Sequence, residues 1–203
     1  MASLAGAQSS AHSIKNATVA AAGRTALSRT DVPVTYRIDP VHSELTFRIR
    51  HLVGRVSGSF DEWSGSISAD TANWANSNVS VEIKTASIDT KQPNRDADLR
   101  SARFFAADSF PTITFKSTRI ERQGDNVKLI GDLTMRGRTK PVTLSGKFLG
   151  ATKDVKGQRV GFDVSTTINR QDYGVSWNRV VETGMYLGDD VEIAATIEAV
   201  RQE

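Results

Sequence analysis

The chain has 203 residues, 26 Lys and Arg against 23 Asp and Glu, a formal net charge of +3, and no cysteine. Its length fits one domain, or one domain with a tail, and the missing cysteines exclude a disulfide framework, a thiol nucleophile and a thiolate metal site. Only His42 and His51 of the three histidines lie beyond residue 34, which argues against a histidine-rich metal centre, and every apolar run is far shorter than the roughly 18 residues a membrane helix needs.

Residues 1–34 are rich in Ala, Ser and Thr and contain no aromatic residue. They are expected to form a disordered or loosely docked leader. A remnant of an export signal is the alternative, with Lys15 as a basic flank, although the apolar patch Ala17 to Ala22 is short and weakly hydrophobic for that role. This leader carries +2 of the net charge (Lys15, Arg24 and Arg29 against Asp31), so the remainder is nearly neutral.

From Thr35 onward the pattern has period two. Leu45, Phe47 and Ile49 share one parity against Thr46, Arg48 and Arg50, which places one strand face in an apolar setting and the other in water. The Gly-rich stretch VSGSFDEWSGSISAD follows, then Val79, Val81 and Ile83. Residues 94–105, NRDADLRSARFF, break the pattern: Leu99, Ala102 and Phe105 have helical spacing, Asn94 is a candidate N-cap, and Asp96 and Asp98 suit the positive end of a helix dipole. Strand texture returns at Ile113 and Phe115, at Val127, Leu129, Leu133 and Met135, at Val142, Leu144 and Phe148, at Val160, Phe162, Val164 and Ile168, and at Val191, Ile193, Ala195 and Ile197. NWANSN (73–78), Gly124-Asp125-Asn126, GRTKP (137–141) and KDVKG (153–157) read as connections.

The sum is about eight strands joined mostly by short turns, hence mostly antiparallel, with one short helix between the third and fourth. Either a closed barrel or a two-sheet sandwich satisfies this pattern, whereas a doubly wound α/β sheet does not. A barrel of about eight strands can be filled by its own side chains or can hold one small ligand. The inward parities mix large residues (Phe47, Phe115, Phe148, Phe162) with small ones (Gly131, Gly146, Ala195), which leaves room for a cavity.

From residue 35 to about 201 the sequence resembles the YceI-like family of lipid- or polyisoprenoid-binding proteins. The resemblance opens with YRIDPVHSELTFRIRHL and continues through Val56 to Phe60 (VSGSF) and Gly65-Ser66-Ile67. Its most specific part is ASIDTKQPNRDADLRSARFFAADSFPTITFKS, with Asn94-Arg95-Asp96, Phe104-Phe105 and Phe110-Pro111 in family order. Gly131 to Thr134 with Arg138 to Val142, and INRQDYGVSW with Arg170, Tyr173, Gly174 and Trp177, complete it.

The resemblance implies an all-β, lipocalin-like antiparallel barrel over residues 35–203, its helix closing or flanking one end. It implies a long apolar tunnel for a lipid tail of polyisoprenoid, isoprenoid-quinone or fatty-amide type, with no catalysis, no metal and no cofactor beyond that lipid. A periplasmic or secreted location follows, with a cytoplasmic one as the alternative. Family members often pair, so a homodimer is compatible, while stable membrane insertion and nucleic-acid binding are not expected.

The candidate wall residues are Phe47, Ile49, Phe60, Phe105, Phe115, Leu133 and Ile168. Taken singly, Phe47, Ile49, Phe115, Leu133 and Ile168 each suit a filled core better than a tunnel wall. His51 shares parity with Phe47 and Ile49, so it is either a satisfied core histidine or a head-group contact. Arg95, Arg170 and Tyr173 are candidate head-group donors at the mouth, and Trp177 a candidate lid. Two other functions compete. A hydrolase would use Asp39, His42, Ser43 and Glu44, yet His42 and Ser43 as strand neighbours project to opposite faces. A surface-binding β-sandwich would recognise a sugar or a protein.

Overall fold

The computed structural model describes residues 33–70, 73–155, 157–181 and 184–203. The expected leader lies outside the described residues as far as residue 32. The described chain contains β1 (Val34–Ile38), β2 (Glu44–His51), β3 (Gly54–Phe60), β4 (Trp63–Ala69), β5 (Asn78–Lys84), β6 (Ile88–Asp89) and helix α1 (Pro93–Arg100). After the helix come β7 (Thr112–Gln123), β8 (Asn126–Met135), β9 (Arg138–Asp154), β10 (Gly157–Asn169), β11 (Val180–Val181), β12 (Gly184–Met185) and β13 (Leu187–Arg201).

The first six strands are three long strands, each broken once. β1 runs antiparallel to Ala199–Arg201 of β13, and β2 runs antiparallel to its earlier part, from Leu187 to Thr196. β4 pairs with β1 and β3 with β2; β5 then pairs with β4 and β6 with β3. Joined in this way, the three broken strands and β7, β8, β9, β10 and β13 make eight wall strands, each antiparallel to the next, and β13 closes the ring. This is an up-and-down barrel and not a two-sheet sandwich.

The first break falls at Asp39-Pro40. Proline cannot donate to a ladder, and Asp39 Oδ1 accepts the Val41 amide at 3.1 Å, turning the chain out of the strand. The connection expected over residues 137–141 is tighter than its sequence suggests. Arg136 and Gly137, both at positive φ (49° and 71°), form the whole turn, and Pro141 lies inside β9 opposite Asp132. Proline is tolerated there because the β9–β10 ladder begins only at Ser145, which leaves this part of β9 with one neighbour.

The helix is also shorter than its sequence suggests. It ends at Arg100 and does not reach Phe105, and its N-cap is Gln92, whose side chain accepts the Arg95 amide at 2.6 Å; Asn94 lies inside the helix. Pro93 starts the first turn, where its missing N–H costs nothing. At the other end the Ser101 hydroxyl donates to the Asp98 carbonyl at 2.6 Å, and the Ser101 amide bonds the same carbonyl. Those bonds replace the next helical ones, so residues 101–109 form successive turns that carry Phe104 and Phe105.

The barrel interior has two parts. Near the start of β1 and the end of β13, Tyr36, Ile38, Ile67, Ala69, Val160 and Ala199 pack with Phe148 and Phe162 and fill the space. The Arg122 guanidinium covers this end, 4.2 Å from the Phe148 ring centre and 4.8 Å from that of Trp74. Towards the other end a second cluster includes Ile83, Ile113, Phe115, Leu133, Met135 and Ile168. There β6 does not continue into a ladder with β7, and α1 with the turns after it stands beside the opening in the wall.

Candidate functional site

The second half of the interior encloses a cavity of about 690 Å³. That size lies within the range of about 300–1,000 Å³ typical of small-molecule sites. Strands supply most of the wall, through inward parities on β2, β5, β7, β8, β10 and β13. Phe47, Ile49, Phe60, Phe115, Leu133 and Ile168 all line it, together with His51 and, from the turns after α1, Phe105. Phe60 joins the Phe47 ring (5.8 Å between centroids) to the Phe105 ring (6.1 Å), so strand and turn aromatics form one surface.

The polar candidates divide. Arg170 lines the cavity and is only 4% exposed. Its Nε donates to the Gly188 carbonyl at 2.8 Å, its Nη1 to the carbonyls of Val175 (2.5 Å) and Trp177 (2.9 Å), and its Nη2 to Asp189 at 3.1 Å. Four of its five N–H groups are thus committed to the chain itself. Burial lowers its pKa from the ordinary arginine value, with Asp189 opposing that shift. Arg170 therefore fastens residues 175–177 to the start of β13 and is not a free head-group donor. Tyr173 does not line the cavity. It sits 1% exposed in the adjoining core, its hydroxyl has no hydrogen-bond partner among the described residues, and burial, then Asp172, pushes its pKa up to about 12.

Arg95 does reach the cavity, while its Nε and Nη2 also hold the Thr90 hydroxyl (2.7 Å) and carbonyl (2.8 Å). The buried Asp96 carboxylate accepts the Thr90 amide at 2.9 Å and its hydroxyl at 2.5 Å, locking the helix start to β6. Gln92, Asn94 and Asp98 are the other polar helix residues on the wall. Trp177 lines the cavity with Tyr186, and the two rings meet edge-on at 6.2 Å. Trp177 also contacts Phe104 at 5.2 Å, and His51 meets Tyr186 edge-on at 4.4 Å.

Several lining residues escape a reading by strand parity alone. Leu99, Phe104, Val175, Tyr186 and Leu187 come from the helix, from turns or from a strand's first residue. Trp63, Val81 and Ile83 do lie on strands, and the apolar alternation of VSVEIK was the available signal for the last two.

Outside the cavity, ligand atoms of Asp39, His42 and Glu198 lie within 4.8 Å of one another, a spacing that fits a metal. Arg159 already supplies positive charge there: its Nη1 donates to Asp39 Oδ2 at 3.1 Å and to Glu198 Oε1, and its Nε to Asp154 Oδ2 at 2.9 Å. These partners raise its pKa. His42 Nδ1 faces Asp39 at 2.9 Å, whereas the Ser43 hydroxyl accepts the Glu198 amide at 2.9 Å and donates to its carbonyl at 3.2 Å. His42 and Ser43 thus bond different groups and form no nucleophile–base pair.

A closed up-and-down barrel, filled at one end and hollow and apolar at the other, is the architecture of an internal-cavity binding protein. The chain belongs to the YceI-like family, whose domain matches residues 36–199. It is 37% identical over 167 residues to UPF0312 protein SA2479 of Staphylococcus aureus, covering 80% of this chain and 95% of that one. It is likewise 37% identical over 174 residues to UPF0312 protein PA0423 of Pseudomonas aeruginosa, covering 82% and 87%. Among solved structures, the Campylobacter jejuni YCEI protein superposes with a TM-score of 0.66 at 29% identity, over 76% of this chain and 90% of that one. Two more distant structures share the fold. BcnA of Burkholderia cenocepacia has a TM-score of 0.70 at 22% identity (80% and 99% covered), and a polyisoprenoid binding domain from Saccharophagus degradans has 0.61 at 17% (82% and 98%).

Proposed function

We propose that the barrel takes up the apolar tail of a long lipid, of polyisoprenoid, isoprenoid-quinone or fatty-amide type, and acts without catalysis as its carrier, reservoir or scavenger. The single observation that carries this reading is the cavity of about 690 Å³ with its wall of phenylalanines and branched aliphatics. A chemically uniform tail needs a lining without stranded polar groups and few fixed geometries. Burying roughly 500 Å² of tail is worth about 12 kcal/mol gross at about 25 cal/mol per Å². Ordering and lost rigid-body freedom return several kcal/mol, leaving an affinity in the micromolar to nanomolar range. Asn94 and Arg95, exposed and half-exposed on the helix side of the wall, are donors within reach of a head group. The polyisoprenoid binding of the Saccharophagus domain is in keeping with this ligand class. A periplasmic or secreted location accompanies the reading, and fractionation of expressing cells tests it.

Organic extraction of the purified protein followed by mass spectrometry tests the function. A stoichiometric apolar ligand is expected. Phe115→Asp, or the uncharged filling change Ala195→Phe, abolishes it, and Lys84→Ala on the outer face leaves it in place. An extract without such a ligand, or equal loading of all three variants, overturns the reading.

A further inference from the structure

The rim at the hollow end of the barrel brings exposed apolar residues together with arginines. The β2–β3 turn is tied to the segment before β13, because the Leu52 amide bonds the Tyr186 carbonyl at 3.0 Å. β11 and β12 pair through Val180 and Met185, and the Tyr186 amide bonds the Arg179 carbonyl at 2.8 Å. Val53, fully exposed at the turn, therefore stands on one edge with Val180 (76% exposed) and Met185 (42% exposed). The next residues inward, Tyr186 and Trp177, already line the cavity.

Arginines flank these apolar tips. Arg50 and Arg55 are exposed and lie directly opposite each other on β2 and β3, a like-charge pairing that costs stability unless something negative lies outside it. Arg55 is offset by Glu192 at 2.5 Å, while the Arg50 guanidinium donates to the Leu52 carbonyl at 3.1 Å. The Arg179 and Arg103 guanidiniums lie 4.8 Å and 4.6 Å over the rings of Tyr186 and Trp177. The nearby carboxylates are largely committed: Glu192 to Arg55, Asp189 to Arg170 and Gln171, and Asp98 to Arg103 at 3.5 Å, while Asp190 lies opposite Asn169 on the β10 side. Arg50 and Arg179 thus have no carboxylate partner among the described residues.

We propose that this rim, with Val53, Val180 and Met185 as apolar tips and Arg50 and Arg179 as their flanking charges, docks the barrel mouth onto the surface of an anionic phospholipid bilayer. Separate apolar tips between arginines, with Trp and Tyr one step behind, match the layering of a bilayer interface: tips in the acyl boundary, amphipathic rings at head-group depth, guanidiniums on phosphate. The same contact sets the cavity mouth against the membrane, so a tail passes between them without crossing water. The purpose of docking rests on the lipid-binding reading, but docking itself is measurable without any cargo.

Flotation of the full chain with phosphatidylcholine vesicles, with and without phosphatidylglycerol, tests the proposal. The chain floats with the anionic vesicles at low salt, not with the neutral ones, and is released at high salt. R50Q/R179Q weakens binding about thirty-fold, or about 2 kcal/mol at about 1 kcal/mol per arginine. V53D/V180D weakens it by about tenfold or more. Val155→Asp, at an equally exposed valine in the turn at the opposite end, changes nothing. Equal flotation with neutral vesicles, or wild-type flotation of V53D/V180D with an unchanged circular dichroism spectrum, overturns the proposal. Loading of each variant from detergent micelles, read by extraction, separates the two readings: loading without flotation removes docking alone, and flotation without loading removes lipid uptake alone.

Discussion

The Phe47 ring of β2 packs against Gly58, the residue directly opposite it on β3. A Cβ at position 58 would fall 2.5 Å from the Phe47 ring and 2.8 Å from the Asp89 carbonyl, so only glycine lets the ring pass over the strand. Gly131 does the same for the Phe115 ring, which lies 2.6 Å from where its Cβ would be. The large and small inward residues are therefore matched across strands, and the match sets how far each phenylalanine reaches into the cavity. Gly58→Ala is expected to cost about 1–3 kcal/mol, since either the ring or the β3–β6 ladder must shift. Urea denaturation measures the loss, and a smaller cavity shows as reduced uptake of the longest lipid tails. An unchanged midpoint would mean that the ring is not held by this contact.

Arg170 is a structural clamp in the cavity wall, and its removal has a localised signature. Its guanidinium bridges three carbonyls and Asp189, joining the Trp177 segment to β13. Arg170→Gln leaves buried carbonyls unpaired, at a cost of about 3 kcal/mol. Arg170→Lys recovers little, because one ammonium cannot reproduce the planar fork. Hydrogen exchange in wild type and variant is expected to differ most over residues 174–181. A uniform change across the barrel would contradict the clamp.

Much of this architecture was legible because alternation is a direct imprint of a two-sided wall. Phe47, Phe115 and Leu133 follow parity and line the cavity. Parity fails where the ladder slips. A bulge between Ser117 and Arg119 carries the buried position to Ile120, and another leaves Leu149 unpaired and exposed between Phe148 and Gly150. It is silent where the wall is not a strand, as at Leu99, Phe104 and Tyr186. Arg170 and Tyr173 show a different limit. Residue type marked both as polar groups near the mouth, yet a 3₁₀ turn at Arg170–Tyr173 turns the tyrosine away from the cavity, and local carbonyls take up the arginine's donors.

The buried Tyr173 hydroxyl is an unmet polar group in an apolar cluster. Tyr173→Phe removes it and is expected to stabilise the fold by about 1 kcal/mol. The sign at alkaline pH is set by the raised pKa. In the unfolded chain tyrosine ionises near pH 10, and in the folded chain near about 12. The unfolded state thus loses its proton first, so the fold loses stability relative to it as pH rises from about 10 to about 12. The phenylalanine variant lacks that contribution to the alkaline decline. Urea midpoints at pH 8 and pH 11 check both statements, and a destabilised variant at pH 8 would reveal a partner for the hydroxyl.

Asp39 gives the opposite dependence, at the acid end. Its carboxylate sits at the break between β1 and β2, bonded by His42 Nδ1 at 2.9 Å, by Arg159 Nη1 at 3.1 Å and by the Val41 amide at 3.1 Å. These donors, His42 first and Arg159 next, hold its pKa down to about 2 against the ordinary value of 3.8. Above about pH 4 the carboxylate is ionised in both states and its stabilisation is complete. As pH falls towards about 2 the unfolded chain takes up the proton first, so the stabilisation is progressively lost. Asp39→Asn cannot supply this charge and is expected to be less stable at pH 7, with a flatter acid arm. Denaturation midpoints of the two proteins should converge between pH 4 and pH 2. Parallel curves over that range would show that the carboxylate's charge does not hold the β1–β2 break in place.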